Sequence, residues 1–183
     1  MKIIGIAGMP GSGKTETMKF IKQLNIPTIS MGDAILDEMR KRGIETTHKN
    51  IGDFATKIRK EMGMDAAASL CIPYVKTINS NIIFIDGIRS YEETELFKKT
   101  FTDNFVLLTI HAPQKLRYER IMKRDQARDT KTWEDFILRD ERELSWGLGK
   151  SIALADHVIV NDNTLENLHN QIKDITDSIN LSP

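Results

Sequence analysis

The sequence predicts an α/β fold: a parallel β-sheet with helices packed on both faces, in three layers. Two observations predict it. Short runs of consecutive apolar residues, each long enough for one buried strand, alternate with stretches of helical periodicity, the pattern of strands covered on both sides. The first run, Lys2-Ile-Ile-Gly-Ile-Ala7, passes directly into Gly8-Met9-Pro10-Gly11-Ser12-Gly13-Lys14-Thr15, a complete G-x-x-x-x-G-K-[ST] phosphate-binding loop, and from there into a helix.

The elements follow in order. Residues 16–24 read as a helix, with Thr17, Phe20, Ile21 and Leu24 at helical spacing. Residues 27–30 form a short strand, and residues 81–86, 105–111 and 157–161 supply three more. Two connections exceed an ordinary strand-to-helix link. One, over about residues 33–80, carries helical signals at 34–42, 51–62 and 65–78. The other, over about residues 123–150, holds Thr132-x-x-Asp135, a capping-box pattern that opens a helix through Leu144; Trp146-Gly147-Leu148-Gly149 then breaks it. Long inserts in compact domains are usually functional, and both should leave the C-terminal ends of strands, where open α/β sheets bind ligands. The expectation is one domain over residues 1–183, with an insert at about 33–80 and a lid at about 123–150.

Charge balances at 26 basic against 26 acidic side chains, which argues against a bulk nucleic-acid or membrane binder. The single cysteine, Cys71, excludes an intrachain disulfide and points to a reducing cytoplasm. No apolar run approaches a membrane span, and the N-terminal apolar stretch is too short for a signal peptide. The four histidines show no metal or triad spacing, and His111 reads as core or cap packing.

A strand feeding a helix through a glycine-rich turn aims several backbone N–H groups and the positive end of a helix dipole at one point, a site for polyphosphate. Lys14 is placed to reach the β/γ-phosphates and the Thr15 hydroxyl to ligate Mg²⁺. Ile82-Ile-Phe-Ile-Asp86 has the pattern of a strand whose terminal carboxylate, Asp86, helps hold that Mg²⁺. In Gly87-Ile88-Arg89, Arg89 either forks onto a phosphate or pairs with Glu92 or Glu93. Asp33 reads both as the N-cap of a helix starting at Ala34 and as a carboxylate able to take a proton from a hydroxyl acceptor; a phosphate acceptor would need no base. Arg117, Arg120, Arg124 and Arg128 fall on one helical side and Arg139 and Arg142 follow; they either stabilise a transferring phosphoryl group or form a solvated, ion-paired face. Lys49, Arg59 and Lys60 either meet an anionic substrate or lie in solvent.

These residues together resemble the P-loop nucleoside-monophosphate kinase superfamily. Ile29-Ser-Met-Gly-Asp33 looks like the I-S-x-G-D segment that opens the acceptor insert of adenylate kinases, and Asp86-Gly-Ile-Arg89 is similar to their D-G-F-P-R, one residue shorter. Arg120-Ile-Met-Lys-Arg124-Asp125 resembles the R-x-x-x-R-D segment before the lid of dephospho-coenzyme A kinases. Ala155-Asp-His-Val-Ile-Val-Asn161 resembles their C-terminal segment, in which the loop near Asn161 packs against adenine. Over nearly its whole length the chain is similar to an archaeal adenylate kinase- and dephospho-coenzyme A kinase-like family sharing S-M-G-D, D-G-I-R-S and R-D-E-R-E-L segments, the last seen here at residues 139–144.

The resemblance implies a P-loop NTPase fold with a five-stranded parallel sheet in order 2-3-1-4-5, an acceptor-binding insert and a lid. It implies ATP and Mg²⁺ as cofactors, with Gly8, Met9, Pro10, Gly11, Ser12, Gly13, Lys14, Thr15 and Asn161 around the nucleotide and Thr15 and Asp86 on the metal. Lys14, Asp33, Arg120, Arg124 and Arg139 are the catalytic candidates, and Asp33 and Arg89 face the acceptor. Leu36 stands where adenylate kinases carry an acceptor-binding arginine, which tilts the expectation from a nucleoside monophosphate to a dephospho-coenzyme A-like hydroxyl. No guanine-specific N-K-x-D segment is present, so ATP is expected over GTP. The expected chain is a monomer or homodimer with a small-molecule partner. A different class of reading makes it a nucleotide-switched module that hydrolyses ATP and docks a protein or RNA through residues 117–142.

Overall fold

The computed structural model describes residues 1–124 and 132–180, with the side chains of all of these except 48, 49 and 180. Five strands form one parallel sheet: β1 (Lys2–Ala7), β2 (Thr28–Ser30), β3 (Ile82–Asp86), β4 (Phe105–His111) and β5 (His157–Val160), in the order β2-β3-β1-β4-β5. This is the order the resemblance implied. The apolar runs lack polar alternation because both faces are buried. Ile3, Ile83, Ile85 and Leu107 enter one core, and Ile4, Ile6, Phe84 and Leu108 enter the other.

Nine α-helices are described: α1 (Lys14–Gln23), α2 (Met31–Lys41), α3 (His48–Met62), α4 (Ala66–Thr77), α5 (Tyr91–Phe101), α6 (Gln114–Arg124), α7 (Trp133–Ser145), α8 (Leu148–Ala153) and α9 (Leu165–Asn180). Met18 and Ile21 of α1 pack with Leu168 and Ile172 of α9 on one sheet face. Residues of α2, α3, α4, α5 and α8 build the core on the other. The long 31–77 segment thus contributes three helices to the larger core. Its Cys71 thiol is buried there, and burial, reinforced by the Glu93 charge, pushes it up to about 12, which removes it from thiolate chemistry. Among the described residues no helix is long and apolar enough to cross a membrane.

Element ends and caps differ from the sequence reading in places. α2 starts at Met31 rather than Ala34: Ser30 is the N-cap and its Oγ accepts the Asp33 N–H at 3.4 Å, so Asp33 lies in the first turn and is not the cap. Its negative charge still suits that end of the helix dipole. Thr132 Oγ1 does accept the Asp135 N–H at 3.1 Å, but the reciprocal capping box belongs to Ser90 and Glu93 on α5, a pattern the reading passed over. Finally, the Trp146–Gly149 break opens a further short helix: Gly147, at φ 88°, turns the chain from α7 into α8, which buries Leu148 and Ser151.

The strand register sets the site. Asp86 is level with Ser30 of β2 on one side and Ile6 of β1 on the other, so the ends of β2 and β3 and the start of the loop after Ala7 share one edge of the sheet.

Candidate active site

The loop at residues 8–15 turns on three glycines with positive φ: Gly8 at 147°, Gly11 at 79° and Gly13 at 114°. Side chains are excluded twice over. The angles disfavour them, and a Cβ at Gly8 would stand 2.4 Å from Ile110 O. Gly13 caps α1, so the first free N–H groups of that helix open onto the loop.

Lys14 folds back over the loop, its Nζ donating to Gly8 O at 2.5 Å and to Met9 O at 3.1 Å. Burial and the neighbouring Arg89 charge lower its pKa to about 8, against the opposing pull of Asp86 and Glu143; Arg139 adds to the lowering. Lys14 therefore lies within electrostatic reach of Asp86, Arg89, Arg139 and Glu143. The Thr15 side chain, in the first turn of α1, is exposed.

Asp86 Oδ1 is buried and has no hydrogen-bond partner. An orphaned carboxylate oxygen costs free energy unless something satisfies it, and a hard divalent cation does so. With the exposed Thr15 hydroxyl, it supplies oxygen ligands of the kind Mg²⁺ takes when phosphates and water complete its shell, so these residues fit that ion. Ser12 Oγ and Thr17 Oγ1, in and beside the loop, are likewise buried without partners.

The arginines sort differently from the helical-face reading. Arg117 is buried; it grips Asp140 of α7 through Nη1 at 2.8 Å and Nη2 at 2.5 Å, and donates to Pro10 O at 2.9 Å and Ala112 O at 3.2 Å. It is neither a solvated residue nor part of any docking face. Arg120 is bound to Asn161, reaching its backbone O at 2.9 Å and Oδ1 at 3.4 Å. Asn161 is buried and turns its amide onto Ser12 O at 2.8 Å, while its own N–H donates to His111 O at 2.7 Å. The side chain of His111 is exposed, not packed in the core. Arg124 ends α6 half-buried, and Asp125 and Arg128 lie outside the described residues, as does the side chain of Lys49.

Arg89 pairs with Glu143 of α7, its Nη1 lying 2.6 and 2.8 Å from the two carboxylate oxygens, and not with Glu92 or Glu93 as the sequence reading allowed. Its side chain remains 45% exposed while anchored to the buried Glu143. Glu93 instead accepts the backbone N–H groups of Arg89 and Ser90 and binds Arg59 at 2.9 Å. Arg59 is therefore a buried structural partner, stacked over Trp146 at 5.1 Å, while Lys60 is exposed. Glu93, Asp140 and Glu143, which the sequence reading placed only as ion-pair partners of arginines and not in the site, are the carboxylates that fix Arg59, Arg117 and Arg89. The signal available in the sequence was the spacing of the last two on α7, beside Arg139.

Asp33 is exposed at the start of α2. It lines a small cavity shared with Asp86, Lys22 and Met18, and a larger one of about 290 Å³ that extends between α2 and α4. The larger cavity is lined by Ser30, Asp33, Asp37, Tyr74 and Thr77 among others, with Tyr74 donating to Asp37 at 3.2 Å.

Comparison with known proteins gives the same picture of the fold. A family model described as an AAA domain matches residues 7–136. Among curated sequences the chain is 44% identical over 174 residues to a UPF0200 protein of Pyrococcus abyssi, covering 93% of each chain. It is 41% identical over 175 residues to a UPF0200 protein of Methanosarcina mazei, covering 96% of this chain and 94% of the relative. Among solved structures, TT1252 from Thermus thermophilus superposes with a TM-score of 0.68 at 16% identity, covering 100% of this chain and 98% of that one. A shikimate kinase from Acinetobacter baumannii in complex with shikimate gives 0.63 at 16% identity, covering 100% and 96%. At that identity the likeness speaks for the fold alone, that of P-loop kinases.

Proposed function

The chain belongs to the UPF0200 family and carries an AAA domain, and from that ground we propose that it is an ATP- and Mg²⁺-dependent phosphotransferase acting on a small, nucleotide-like acceptor that presents a hydroxyl. The observation that carries the proposal is the orphaned Asp86 Oδ1, placed by strand register beside the loop that bears Lys14 and Thr15. The loop N–H groups take the polyphosphate, and Lys14 exchanges the Gly8 and Met9 carbonyls for β/γ-phosphate oxygens. Thr15 and Asp86 would hold Mg²⁺, which would supply positive charge to those oxygens. Arg139, whose charge already acts on Lys14, and Arg89, anchored by Glu143, flank the transfer path. Asp33 takes the proton of the acceptor hydroxyl.

The charge layout supports a hydroxyl acceptor over a phosphate acceptor. Arg59 and Arg117 are each buried and bound by a buried carboxylate, and Leu36 packs against the core. The larger cavity beside Asp33 offers carboxylates and hydroxyls, with no cation among its lining residues. Structural neighbours named as shikimate kinases, one bound to shikimate, are in keeping with a small acceptor. The test is transfer of labelled γ-phosphate from ATP to dephospho-coenzyme A, AMP, CMP, UMP and dCMP, with native chain and Asp33→Asn. Label on the hydroxyl acceptor, falling about 10²- to 10⁴-fold in Asp33→Asn, is expected for a lost general base. Label on a monophosphate, untouched by Asp33→Asn, defeats the proposal.

A further inference from the structure

Two carbonyls of the phosphate-binding loop are held from outside it. Arg117 of α6 donates to Pro10 O at 2.9 Å, and Asn161, just past β5, donates to Ser12 O at 2.8 Å. Each donor is itself braced: Arg117 by the two-pronged contact with Asp140 of α7, Asn161 by Arg120 of α6. Arg117, Asp140 and Asn161 are all buried, so these contacts are shielded from competing water.

A planar trans peptide points its N–H opposite to its C=O, and no cis peptide bond occurs among the described residues. Holding Pro10 O and Ser12 O toward α6 and the end of β5 therefore turns the Gly11 and Gly13 N–H groups the other way. The N–H between them, that of Ser12, is spent on Met9 O at 3.1 Å. The same two glycines are where the braces come closest: a Cβ would stand 2.6 Å from Arg117 O at Gly11 and 2.2 Å from Asn161 Nδ2 at Gly13.

We propose that Arg117 and Asn161 are positioning residues that aim the Gly11 and Gly13 N–H groups at the bound phosphates, and that Asp140, by fixing Arg117, ties that aim to the seating of α7. The inference rests on residues 8–15 being the nucleotide site and adds what orients its donors. Isothermal titration of inorganic tripolyphosphate into the full chain, without Mg²⁺, reads the cradle apart from any acceptor. Asn161→Ala and Arg117→Lys should each weaken binding about tenfold, as for a charge-assisted hydrogen bond lost in part.

Thr164→Ala is the control. Thr164 Oγ1 accepts the Asn167 N–H at 3.2 Å at the start of α9, so this variant loses stability without touching the loop. Melting temperatures that fall in all three variants while tripolyphosphate affinity stays native in Asn161→Ala and Arg117→Lys would overturn the proposal. Arg117→Lys keeps the charge facing Asp140 and carries the test should Asn161→Ala not fold. A native chain that does not bind tripolyphosphate overturns the nucleotide-site reading itself, before any variant is compared.

Discussion

Replacing Gly13 with Ala separates the two demands made on that residue. The first is conformational: at φ 114° an L-residue is strained, by about 1–2 kcal/mol for positive-φ backbone. The second is space: the new Cβ would stand 2.2 Å from Asn161 Nδ2, so the amide must retreat by roughly an ångström to reach ordinary contact and would give up its 2.8 Å bond to Ser12 O. Leaving that buried donor and acceptor unsatisfied costs about 1–3 kcal/mol more. Gly43 supplies the comparison, since it also has positive φ (67°) but nothing within 4 Å of its would-be Cβ. Gly43→Ala should therefore cost about 1 kcal/mol after the gain from restricting the unfolded chain, and Gly13→Ala about 2–4 kcal/mol. For a chain of this size, these become drops of about 2–4 °C and about 4–16 °C in melting temperature. Scanning calorimetry of both variants in nucleotide-free buffer is the assay. Equal drops would refute the reasoning, because the close approach of Asn161 would then carry no energy.

Further outcomes follow from the same geometry. Gly52, inside α3 with open space at its Cβ, should accept Ala with a gain of about 0.5–1 kcal/mol, read as a small rise in melting temperature. Arg117→Met leaves Asp140 buried without its cation and should cost about 3–5 kcal/mol by denaturant titration; a loss under 1 kcal/mol contradicts the buried pair. With its pKa lowered to about 8, Lys14 is charged at pH 7 and neutral at pH 9.5 in the free protein. Phosphate binding needs the charged form, so ATP affinity should fall as pH rises through about 8, approaching tenfold per pH unit above it. Titration calorimetry giving flat affinity from pH 7 to 9.5 would contradict this coupling of a lowered Lys14 pKa to phosphate binding.

Strands buried on both faces were the most legible parts of the chain. β1 and β4 coincide residue for residue with their apolar runs, because continuous burial leaves little freedom in where such a run starts or stops. Helix starts were less legible. Ser30 and Asp33 both have capping side chains, and only the turn of the chain out of β2 decides between them. α8 was hidden because Gly147, before it, and Gly149, inside it, read as a break, whereas buried Leu148 and Ser151 hold it by packing rather than propensity.

In the site, the loop was legible because its glycines, Lys14 and Thr15 are local in sequence. The ion pairs were not: Arg117 finds its carboxylate 23 residues away, Arg59 34 and Arg89 54, distances at which spacing carries no information. Asn161 was noticed through a resemblance that sets it near adenine. Its amide is spent on Ser12 O, 149 residues earlier in the chain.

The central claim is that residues 8–15, with Lys14 and Asp86, hold ATP for phosphoryl transfer. The most direct test is the rate of labelled γ-phosphate transfer from ATP with Mg²⁺, over the acceptor panel, in the native chain and in Lys14→Ala. The account predicts labelled acceptor from the native chain and a loss of about 10³-fold or more in Lys14→Ala, on the scale of other transition-state charge stabilisers in phosphoryl transfer. Undiminished transfer by Lys14→Ala would contradict it.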